Sequence, residues 1–421
     1  MKKNLLFVHS GGFWKDYTFK KAHDLGYGVV LAQKNYRGNS PFIDKILDLD
    51  VYDAEVAAAQ ISNHMKDIHG VTTFFELAVE TTALLAEKNG LLGNSYSAAQ
   101  NSRDKLRMRR CFEAKGIPSV GAFSPVLNSN DVNSFGKKHG YPIILKPAKF
   151  GASAGVVRIN GEDEVDHFFD FVTMEVASFC NTYAFPVNQA AIMVETMIDP
   201  NTTEVNVDMI VHNGEPLVIS VAEKPQDTTG PTFQENDYVM PPVSVNTDDL
   251  ETIKNISISA VKSLGLRWGA AHLEAKVMRK VDSFSCYIVE VGARCGVDLE
   301  VPSVKESTGI DLAEIVIKQA MGDFTDEDFL CLKGQIQNSA IKPVAVQVIY
   351  APKNGVIKNI YVPEMIRSDK RCLEIKFEYN PQDKINMHYS DYVGALMVTE
   401  ETPQKALKLV NDFVSEVKIE M

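Results

Sequence analysis

The sequence predicts a mixed α/β (α+β) protein built from two or three domains. The chain of 421 residues is too long for one average hydrophobic core. Its first 100 residues alternate apolar strand-like runs with helical stretches, which indicates a small parallel sheet. Later strands follow one another along the chain with short polar turns between them, which is typical of antiparallel hairpins.

Composition and charge limit the classes of partner. The net charge of −12, from 43 basic and 55 acidic residues, argues against nucleic acid or an anionic membrane as the main partner. The sequence has no run of 18 apolar residues, and the opening KKNLLFVHSGG is too short an apolar stretch for a signal peptide. We therefore expect a cytoplasmic protein, and the sequence leaves open whether it forms a homodimer.

The N-terminal region begins as strand, helix and strand. NLLFVHSGG predicts a buried strand with a glycine turn, a helix-like stretch reaches Leu25, and GYGVVLAQ predicts the second strand. HSGG lacks the GxGxxG spacing of a dinucleotide-binding loop, so we interpret it as a plain strand-to-helix turn. This first region is not expected to bind a cofactor.

A basic helix and a strand that carries a lysine come next. SRDKLRMRRCFEAKGIP predicts a helix with Ser102 as its N-cap and an end at Gly-Ile-Pro. GYPIILKPA predicts a strand that ends at Lys146, and the small-residue loop KFGASAGV leads into the following strand. A lysine beside such a loop suits a polyphosphate, although surface lysines and glycine loops are also common without a ligand.

Three strands and a long loop precede the C-terminal half. AIMVET, EVNVDMIV and PLVISVA predict strands, the latter two joined by the turn HNGE. Residues 225–242 predict a long irregular loop, and loops of that length are uncommon unless they are functional. Near the end of the chain, VAVQVIYAP predicts a strand and TPQKALKLVNDFVSEV a final helix.

Two glutamates lie in a predicted hairpin. Residues 271–278 alternate between polar and apolar side chains, and CYIVEV predicts the partner strand. If the turn is centred on Asp282, Glu274 and Glu290 face each other across the antiparallel pair. Like charges in that position are destabilising, and a bound cation such as Mg²⁺ would reverse the sign. Two solvated glutamates on an exposed face remain the alternative interpretation.

These elements, in this order, resemble the ATP-grasp enzymes, the fold shared by D-alanine:D-alanine ligase and biotin carboxylase. The resemblance covers nearly the whole chain and implies ATP and Mg²⁺ as cofactors, with Mn²⁺ as an alternative ion. It implies an N-terminal pre-ATP-grasp domain over 1–100 and an ATP-grasp domain over 101–335. The latter contains an A subdomain with the phosphate loop at about 141–195 and a metal and substrate subdomain at about 196–335. A small C-terminal α+β domain would cover 336–421.

The resemblance also implies roles for individual residues. SRDKLRMR and ILKP would supply two lysines, GASAGV would cover the phosphates, VETMI would meet the adenine, and a later carboxylate would bind the ribose. The nucleotide-binding set is Lys105, Lys146, Ser153, Ala154, Gly155, Glu195, Thr196, Ile198 and Glu204. The metal ligands would be Glu274 and Glu290, while Lys146 and Arg294 would be catalytic. Arg294 would steady the transferred phosphate and the intermediate.

The substrate side of the implied site is less closely specified. Gly296 and Asp298, which follow the catalytic arginine, are expected to border the first substrate. His272 is left open between a substrate contact and a structural hydrogen bond. Many family members have asparagine two residues after the second metal glutamate, where this chain has Gly292. Either water or a carboxylate from the long loop, with Glu235 as the candidate, would replace that amide.

The C-terminal segments narrow the resemblance. IYAPKNGVIKNIYVPE and SDYVGALMVTEETPQKALKLVNDF are similar to the C-terminal domain of the dipeptide-forming L-amino-acid ligases. That resemblance implies a carboxylate-amine ligase that joins two amino acids through an acyl phosphate. Three alternatives stay open: another ATP-grasp ligase, a carboxylase of the biotin-dependent type, and an inactive nucleotide-binding regulator. The lack of an AMKM-like biotinyl segment counts against the carboxylase.

Overall fold

A parallel sheet covered by helices forms the N-terminal region. The computed structural model describes residues 2–11, 15–151, 153–183, 185–224, 232–233, 237–296, 299–338, 340–385 and 392–421. The first four strands are β1 (Asn4–Val8), β2 (Gly28–Ala32), β3 (Lys45–Leu47) and β4 (Gly70–Thr72), and the first three helices are α1 (Lys15–Asp24), α2 (Ala54–Ile61) and α3 (Val79–Lys88). The sheet order is β3-β2-β1-β4, and all neighbouring strands are parallel. The predicted N-terminal parallel sheet is confirmed.

Two consecutive helices leave this region. α4 (Tyr96–Arg103) and α5 (Lys105–Lys115) are separated only by Asp104, whose carboxylate accepts hydrogen bonds from two N–H groups at the start of α5. The prediction of Ser102 as the N-cap was wrong, because Ser102 lies inside α4 and its hydroxyl donates to a carbonyl of the same helix. The break at Asp104 makes Lys105 the first residue of α5.

A four-stranded antiparallel sheet carries the small-residue loop. Its strands and covering helices are β5 (Phe123–Val126), α6 (Ser129–His139), β6 (Ile143–Pro147), β7 (Val157–Ile159), α7 (Val165–Tyr183) and β8 (Ile192–Thr196). The order is β5-β8-β6-β7. Alternate residues of β6 pack against α7, with Ile143 and Leu145 fully buried. Lys146 is near the end of β6, as the sequence predicts.

An eight-stranded antiparallel sheet forms the centre of the molecule. Its first five strands are β9 (Thr203–His212), β10 (Glu215–Lys224), β11 (Asp237–Met240), β12 (Gly269–Lys280) and β13 (Ser283–Gly292). The helices of this region are α8 (Thr247–Leu264), α9 (Glu300–Thr308), α10 (Leu312–Ala320) and α11 (Asp326–Asn338). The apolar sides of β9 and β12 pack on α8, which places their polar residues on the opposite side of the sheet.

The C-terminal strands extend this same sheet. The remaining elements are β14 (Val344–Ile349), β15 (Gly355–Val356), β16 (Asn359–Tyr361), α12 (Glu364–Ser368), β17 (Cys372–Phe377), β18 (Lys384–Ile385), β19 (Gly394–Thr399), α13 (Pro403–Glu416) and β20 (Lys418–Glu420). The order across the large sheet is β13-β12-β9-β10-β11-β14-β19-β17. The predicted boundary near residue 336 therefore precedes three strands that continue the central sheet, while α13 packs on them with its own apolar cluster.

The stretch 225–242 is not irregular throughout. Residues 237–240 form β11, which pairs along its whole length with β14. The prediction of an irregular loop across this stretch was wrong for these four residues. A strand forms because Val239 and Met240 are buried, and because β11 links the first half of the large sheet to its C-terminal half. Glu235 lies outside the described residues.

The N-terminal sheet packs directly on the helices of the central region. Leu5 and Phe7 of β1 share one apolar cluster with Val304 of α9, Ile317 of α10 and Phe329 of α11. All of these side chains are buried. This contact holds the carboxyl end of β4 close to the central sheet. In the part of the chain that the structure describes, none of the helices has both the length and the apolarity that a membrane span needs.

Candidate functional site

The two glutamates of the β12–β13 hairpin face each other as predicted. Glu274 and Glu290 are register partners, and both side chains are partly exposed in the same cleft. A β-bulge between the pairs Glu274–Glu290 and Ala275–Ile288 makes this possible, because it leaves Val289 as an extra residue on β13. Without the bulge, strict alternation would place Glu290 on the buried side with Ile288.

Each glutamate of the hairpin is paired with a lysine. Lys105 Nζ lies 3.0 Å from Glu290 Oε1 and donates a hydrogen bond of 2.6 Å to the carbonyl of Phe150. Lys224 Nζ lies 3.1 Å from Glu274 Oε1. Burial alone would raise the pKa of Glu274, but nearby positive charge, mainly from Lys224, lowers it to about 2. The carboxylate of Glu274 is therefore available as an anionic oxygen ligand.

Lys146 belongs to a second buried charge cluster. Its ammonium contacts Glu195, and Arg109 Nε lies 3.1 Å from the other oxygen of that carboxylate. Burial would raise the pKa of Glu195, yet the two cations lower it to about 2. Burial lowers the pKa of Lys146, and Glu195 opposes that shift. The side chain of Glu195 therefore points at Lys146 within the cleft wall, while Thr196 and Ile198 line the cleft beside it.

Glu204 lies on the same cleft and is held by two lysines. Its oxygens lie 3.2 Å from Lys224 Nζ and 3.4 Å from Lys276 Nζ. The three residues come from β9, β10 and β12, which are neighbours in the central sheet. Lys224 thus bridges two carboxylates, those of Glu204 and Glu274. The resemblance to the ATP-grasp enzymes pointed to Glu204, whereas Lys224 at the end of β10 was missed.

The small-residue loop between β6 and β7 closes the cleft on one side. Ser153 has a left-handed backbone with φ of 55°, and Gly155 follows with φ of 70°. The N–H of Ala154 donates to the carbonyl of Gly151 at 3.2 Å, so in this conformation the loop is held by its own backbone. A Cβ at Gly155 would meet the ring of Pro147 at 3.1 Å, which explains why glycine is needed there.

Most of the predicted residues lie around one cleft. Those that line it are Lys105, Lys146, Ser153, Ala154, Glu195, Thr196, Ile198, Glu204, His272, Glu274, Glu290 and Arg294. Gly155 lies next to them in the loop, and Gly296 packs against the carboxylate of Glu300. Asp298 and Glu235 lie outside the described residues. The structure thus brings together residues from four separate stretches of the sequence.

Arg294 is held by residues from two parts of the chain. Its Nε lies 2.7 Å from Glu76 Oε2, and its Nη1 donates a hydrogen bond of 2.8 Å to the carbonyl of Cys295. Glu76 also lies 2.6 Å from Arg103 Nη1. Burial would raise the pKa of Glu76, but the two guanidinium groups lower it to about 2. Glu76 was missed from sequence, although a carboxylate just beyond the carboxyl end of a parallel strand is a recognisable signal.

His272 lines the cleft and is part of a buried hydrogen-bonded cluster. Its Nδ1 lies 2.9 Å from Asp208 Oδ1 and 3.5 Å from Glu300 Oε1, and Asn206 donates to the same Glu300 oxygen. Burial would lower the pKa of His272, but the adjacent carboxylates raise it to about 9. Burial raises the pKa of Glu300 to about 8. Because Nδ1 is occupied by Asp208, the ring presents its other nitrogen for further contacts.

The hairpin carboxylates fit a hard divalent cation. Oxygen ligands from one or two carboxylates, completed by water and phosphate, are what Mg²⁺ prefers. Gly292 lacks the expected amide, and a Cβ at this position would lie 3.0 Å from Glu76 Oε2. The carboxylate of Glu76 therefore occupies the space into which a longer side chain at 292 would begin to extend. Glu274 and Glu290 remain the residues that would hold the ion.

The part of the chain that forms much of this cleft matches a known family of domains. Residues 139–300 match the family model of the ATP-grasp domain, so this part of the chain is an ATP-grasp domain. Within that class, the chain is similar to alanine–anticapsin ligase from Bacillus subtilis (strain 168), with 27% identity over 256 residues that cover 59% of this chain and 52% of that protein.

Two further comparisons extend over more of the chain. The α subunit of mitochondrial methylcrotonoyl-CoA carboxylase from Glycine max is 24% identical over 374 residues, 87% of this chain and 48% of that protein. The chain spans about half the length of these curated relatives. The crystal structure of an L-amino acid ligase from Bacillus licheniformis matches with a TM-score of 0.83 and 23% identity, covering 100% of this chain and 98% of that one. The fold therefore matches that of this L-amino acid ligase over the whole chain.

Proposed function

We propose that this protein is an ATP-dependent carboxylate-amine ligase that joins two amino acids through an acyl phosphate and releases ADP and phosphate. One observation carries the proposal: paired carboxylates, two lysines and Arg294 converge on a single cleft beside a small-residue loop. The similarity to alanine–anticapsin ligase and to an L-amino acid ligase structure supports amino acids as the substrate class.

The nucleotide would bind with its phosphates between Lys105 and Lys146. Lys105 and Lys146 would turn from Glu290 and Glu195 towards the phosphate oxygens, whose charge they neutralise. Mg²⁺ held by Glu274 and Glu290 would, when bound, supply further positive charge to the phosphate groups. The small-residue loop would cover this end of the cleft, because an acyl phosphate hydrolyses when water reaches it.

Amide formation needs two steps at the γ-phosphate end of the cleft. The carboxylate of the first amino acid attacks the γ-phosphorus, and the bond to the β-phosphate oxygen breaks to release ADP. The neutral amine of the second amino acid then attacks the acyl carbon. Arg294, fixed by Glu76 and by the carbonyl of Cys295, would stabilise the oxyanion that develops before phosphate leaves.

A carboxylase remains the second candidate. The similarity to methylcrotonoyl-CoA carboxylase covers 87% of this chain, which is more than the similarity to alanine–anticapsin ligase covers. In that case bicarbonate would be the carboxylate that is phosphorylated. The same cleft could serve either reaction, because both begin with transfer of the γ-phosphoryl group to a carboxylate oxygen.

A panel of carboxylates and amines separates these candidates. The purified chain is incubated with ATP, Mg²⁺ and single or paired amino acids, or with bicarbonate, and phosphate release is followed while products are identified by mass spectrometry. We expect ADP, phosphate and a dipeptide mass only when suitable amino acids are present. AMP among the products, or bicarbonate as the only carboxylate accepted, would show that the proposed function is wrong.

A further inference from the structure

Glu76 occupies a position that connects three parts of the candidate site. It lies just beyond β4 of the N-terminal sheet and is only 7% exposed. Its carboxylate lies 2.6 Å from Arg103 and 2.7 Å from Arg294. Arg103 in turn donates to the carbonyl of Lys149, at the start of the small-residue loop. One carboxylate of the N-terminal region thus contacts the arginine of the substrate end and, through Arg103, the base of the loop.

Two glycines make room for this side chain. A Cβ at Gly292, at the end of the metal hairpin, would lie 3.0 Å from Glu76 Oε2. A Cβ at Gly151, in the small-residue loop, would lie 3.5 Å from Glu76 Cγ. Because position 292 has no side chain, there is room for the carboxylate of Glu76 next to it. A longer residue at 292 would push on the carboxylate that holds Arg294.

The contact with Arg294 restrains the guanidinium at one edge. Glu76 Oε2 forms an ion pair with Nε that lacks hydrogen-bond geometry, and the carbonyl of Cys295 accepts a hydrogen bond from Nη1, so one charge and one hydrogen bond restrain the planar group. The arginine itself lines the cleft. A misplacement of about 1 Å at a group that stabilises a transition state can cost about 100-fold in rate.

We propose that Glu76 is a positioning residue, which fixes Arg294 for the reaction and, with Arg103, anchors the small-residue loop to the N-terminal region. The proposal rests on the function proposed above, because it assumes that Arg294 acts on the reacting group. Glu76 and Gly292 together determine how tightly Arg294 is held, whether or not a substrate is bound. The restraint on Arg294 and its effect on the reaction can therefore be tested separately.

Glu76→Gln tests the charge while keeping the size of the side chain. We expect kcat for amino-acid-dependent phosphate release to fall about 100-fold, with a much smaller rise in the KM for ATP. The matched control is Glu80→Gln, because Glu80 forms an ion pair of 2.8 Å with Lys149 across the same interface and does not contact Arg294. Its kcat should stay close to that of the wild type. An equal loss of kcat in both variants would overturn the proposal. It would show that the effect comes from a weaker contact between the N-terminal region and the small-residue loop, not from Arg294.

Gly292→Ala keeps every charge and covers the case in which Glu76→Gln does not fold. The added methyl group would press on Glu76 Oε2, so kcat should fall in the same direction. In the double variant the alanine should add little to the loss caused by Glu76→Gln, because both changes act through the same contact. Full additivity, or wild-type activity of Gly292→Ala, would contradict the proposal.

A chemical readout tests the hold on Arg294 without any substrate. Phenylglyoxal modifies arginine, and peptide mass spectrometry gives the rate at Arg294 alone. We expect faster labelling of Arg294 in Glu76→Gln and Gly292→Ala than in the wild type and Glu80→Gln. Equal labelling rates would overturn the positioning role even if the enzyme proves active. Faster labelling in a protein that joins no amino acids would support the role and reject the proposed function instead.

Discussion

Lys224 is the counter-ion shared by two carboxylates of the cleft, Glu204 and Glu274. Its ammonium lies 3.2 Å from Glu204 and 3.1 Å from Glu274, and it is nearly fully buried. Buried carboxylates need a positive partner, and here the lysine supplies it. A divalent cation bound by Glu274 would compete directly with this ammonium. The affinity for the metal should therefore depend on the strength of the ion pair between Lys224 and Glu274.

Lys224→Met tests this competition. Removing the ammonium leaves the two carboxylates without their shared lysine, so Mn²⁺ binding in the absence of nucleotide should tighten about tenfold, equivalent to about 1.4 kcal/mol. Electron paramagnetic resonance of free Mn²⁺ gives the dissociation constant. Lys276→Met is the matched control, because Lys276 lies 3.4 Å from Glu204 and has no ion pair with Glu274 among the described contacts. Unchanged or weaker binding in Lys224→Met would reject the idea.

Glu290→Gln tests the metal assignment itself. One neutral amide oxygen cannot replace a carboxylate on Mg²⁺, so ADP formation should fall by at least about 100-fold while the thermal unfolding temperature stays close to that of the wild type. Asp282→Asn serves as the control, since Asp282 is an exposed acid in the turn of the same hairpin. Normal turnover with the usual Mg²⁺ dependence in Glu290→Gln would remove this residue from the metal site.

At the scale of single elements, the β12–β13 hairpin shows what local sequence can predict. Alternation in AHLEAKV and CYIVEV predicted both strands, and the equal spacing of Glu274 and Glu290 from Asp282 predicted that they face each other. The pairing depends on a bulge at Val289, which alternation does not reveal because it is a local departure from the period of two. The prediction was right about the pair but did not include the feature that turns Glu290 to the cleft.

The loop between β6 and β7 is the second element whose geometry can be tested. Gly155 has φ of 70°, and a Cβ there would lie 3.1 Å from Pro147. Gly155→Ala should strain the loop by about 1 kcal/mol or more and raise the KM for ATP about fivefold or more, with a smaller change in kcat. Gly116→Ala is the control, because Gly116 also has positive φ, in the left-handed helical region, but has open space around it at the end of α5. Equal KM values would place Gly155 outside nucleotide binding.

At the scale of the whole molecule, the cleft is assembled from parts that sequence patterns do not connect. The hairpin could be predicted from its alternation, whereas the roles of the two lysines and of Arg294 followed from the resemblance of their short motifs to the ATP-grasp enzymes. The ion pairs of Glu76 with Arg103 and Arg294 could not be predicted, because Arg294 is far from Glu76 in the sequence and becomes its neighbour only when the N-terminal sheet packs on α9 to α11. Long-range ion pairs of this kind depend on tertiary packing, which no local pattern records.

This long-range contact should make stability depend on pH in a defined window. The pKa of Glu76 falls from 4.5 to about 2 in the folded protein, so its ionised form stabilises the fold above pH 4.5, and that stability is lost as the pH falls through about 2. The difference corresponds to on the order of 3 kcal/mol. Wild-type protein should therefore exceed Glu76→Gln in free energy of unfolding at pH 7, and the gap should shrink steadily below pH 4.5. Urea unfolding of both proteins at a series of pH values measures the gap, and a constant difference down to pH 3 would show that Glu76 does not hold the two regions together through its charge.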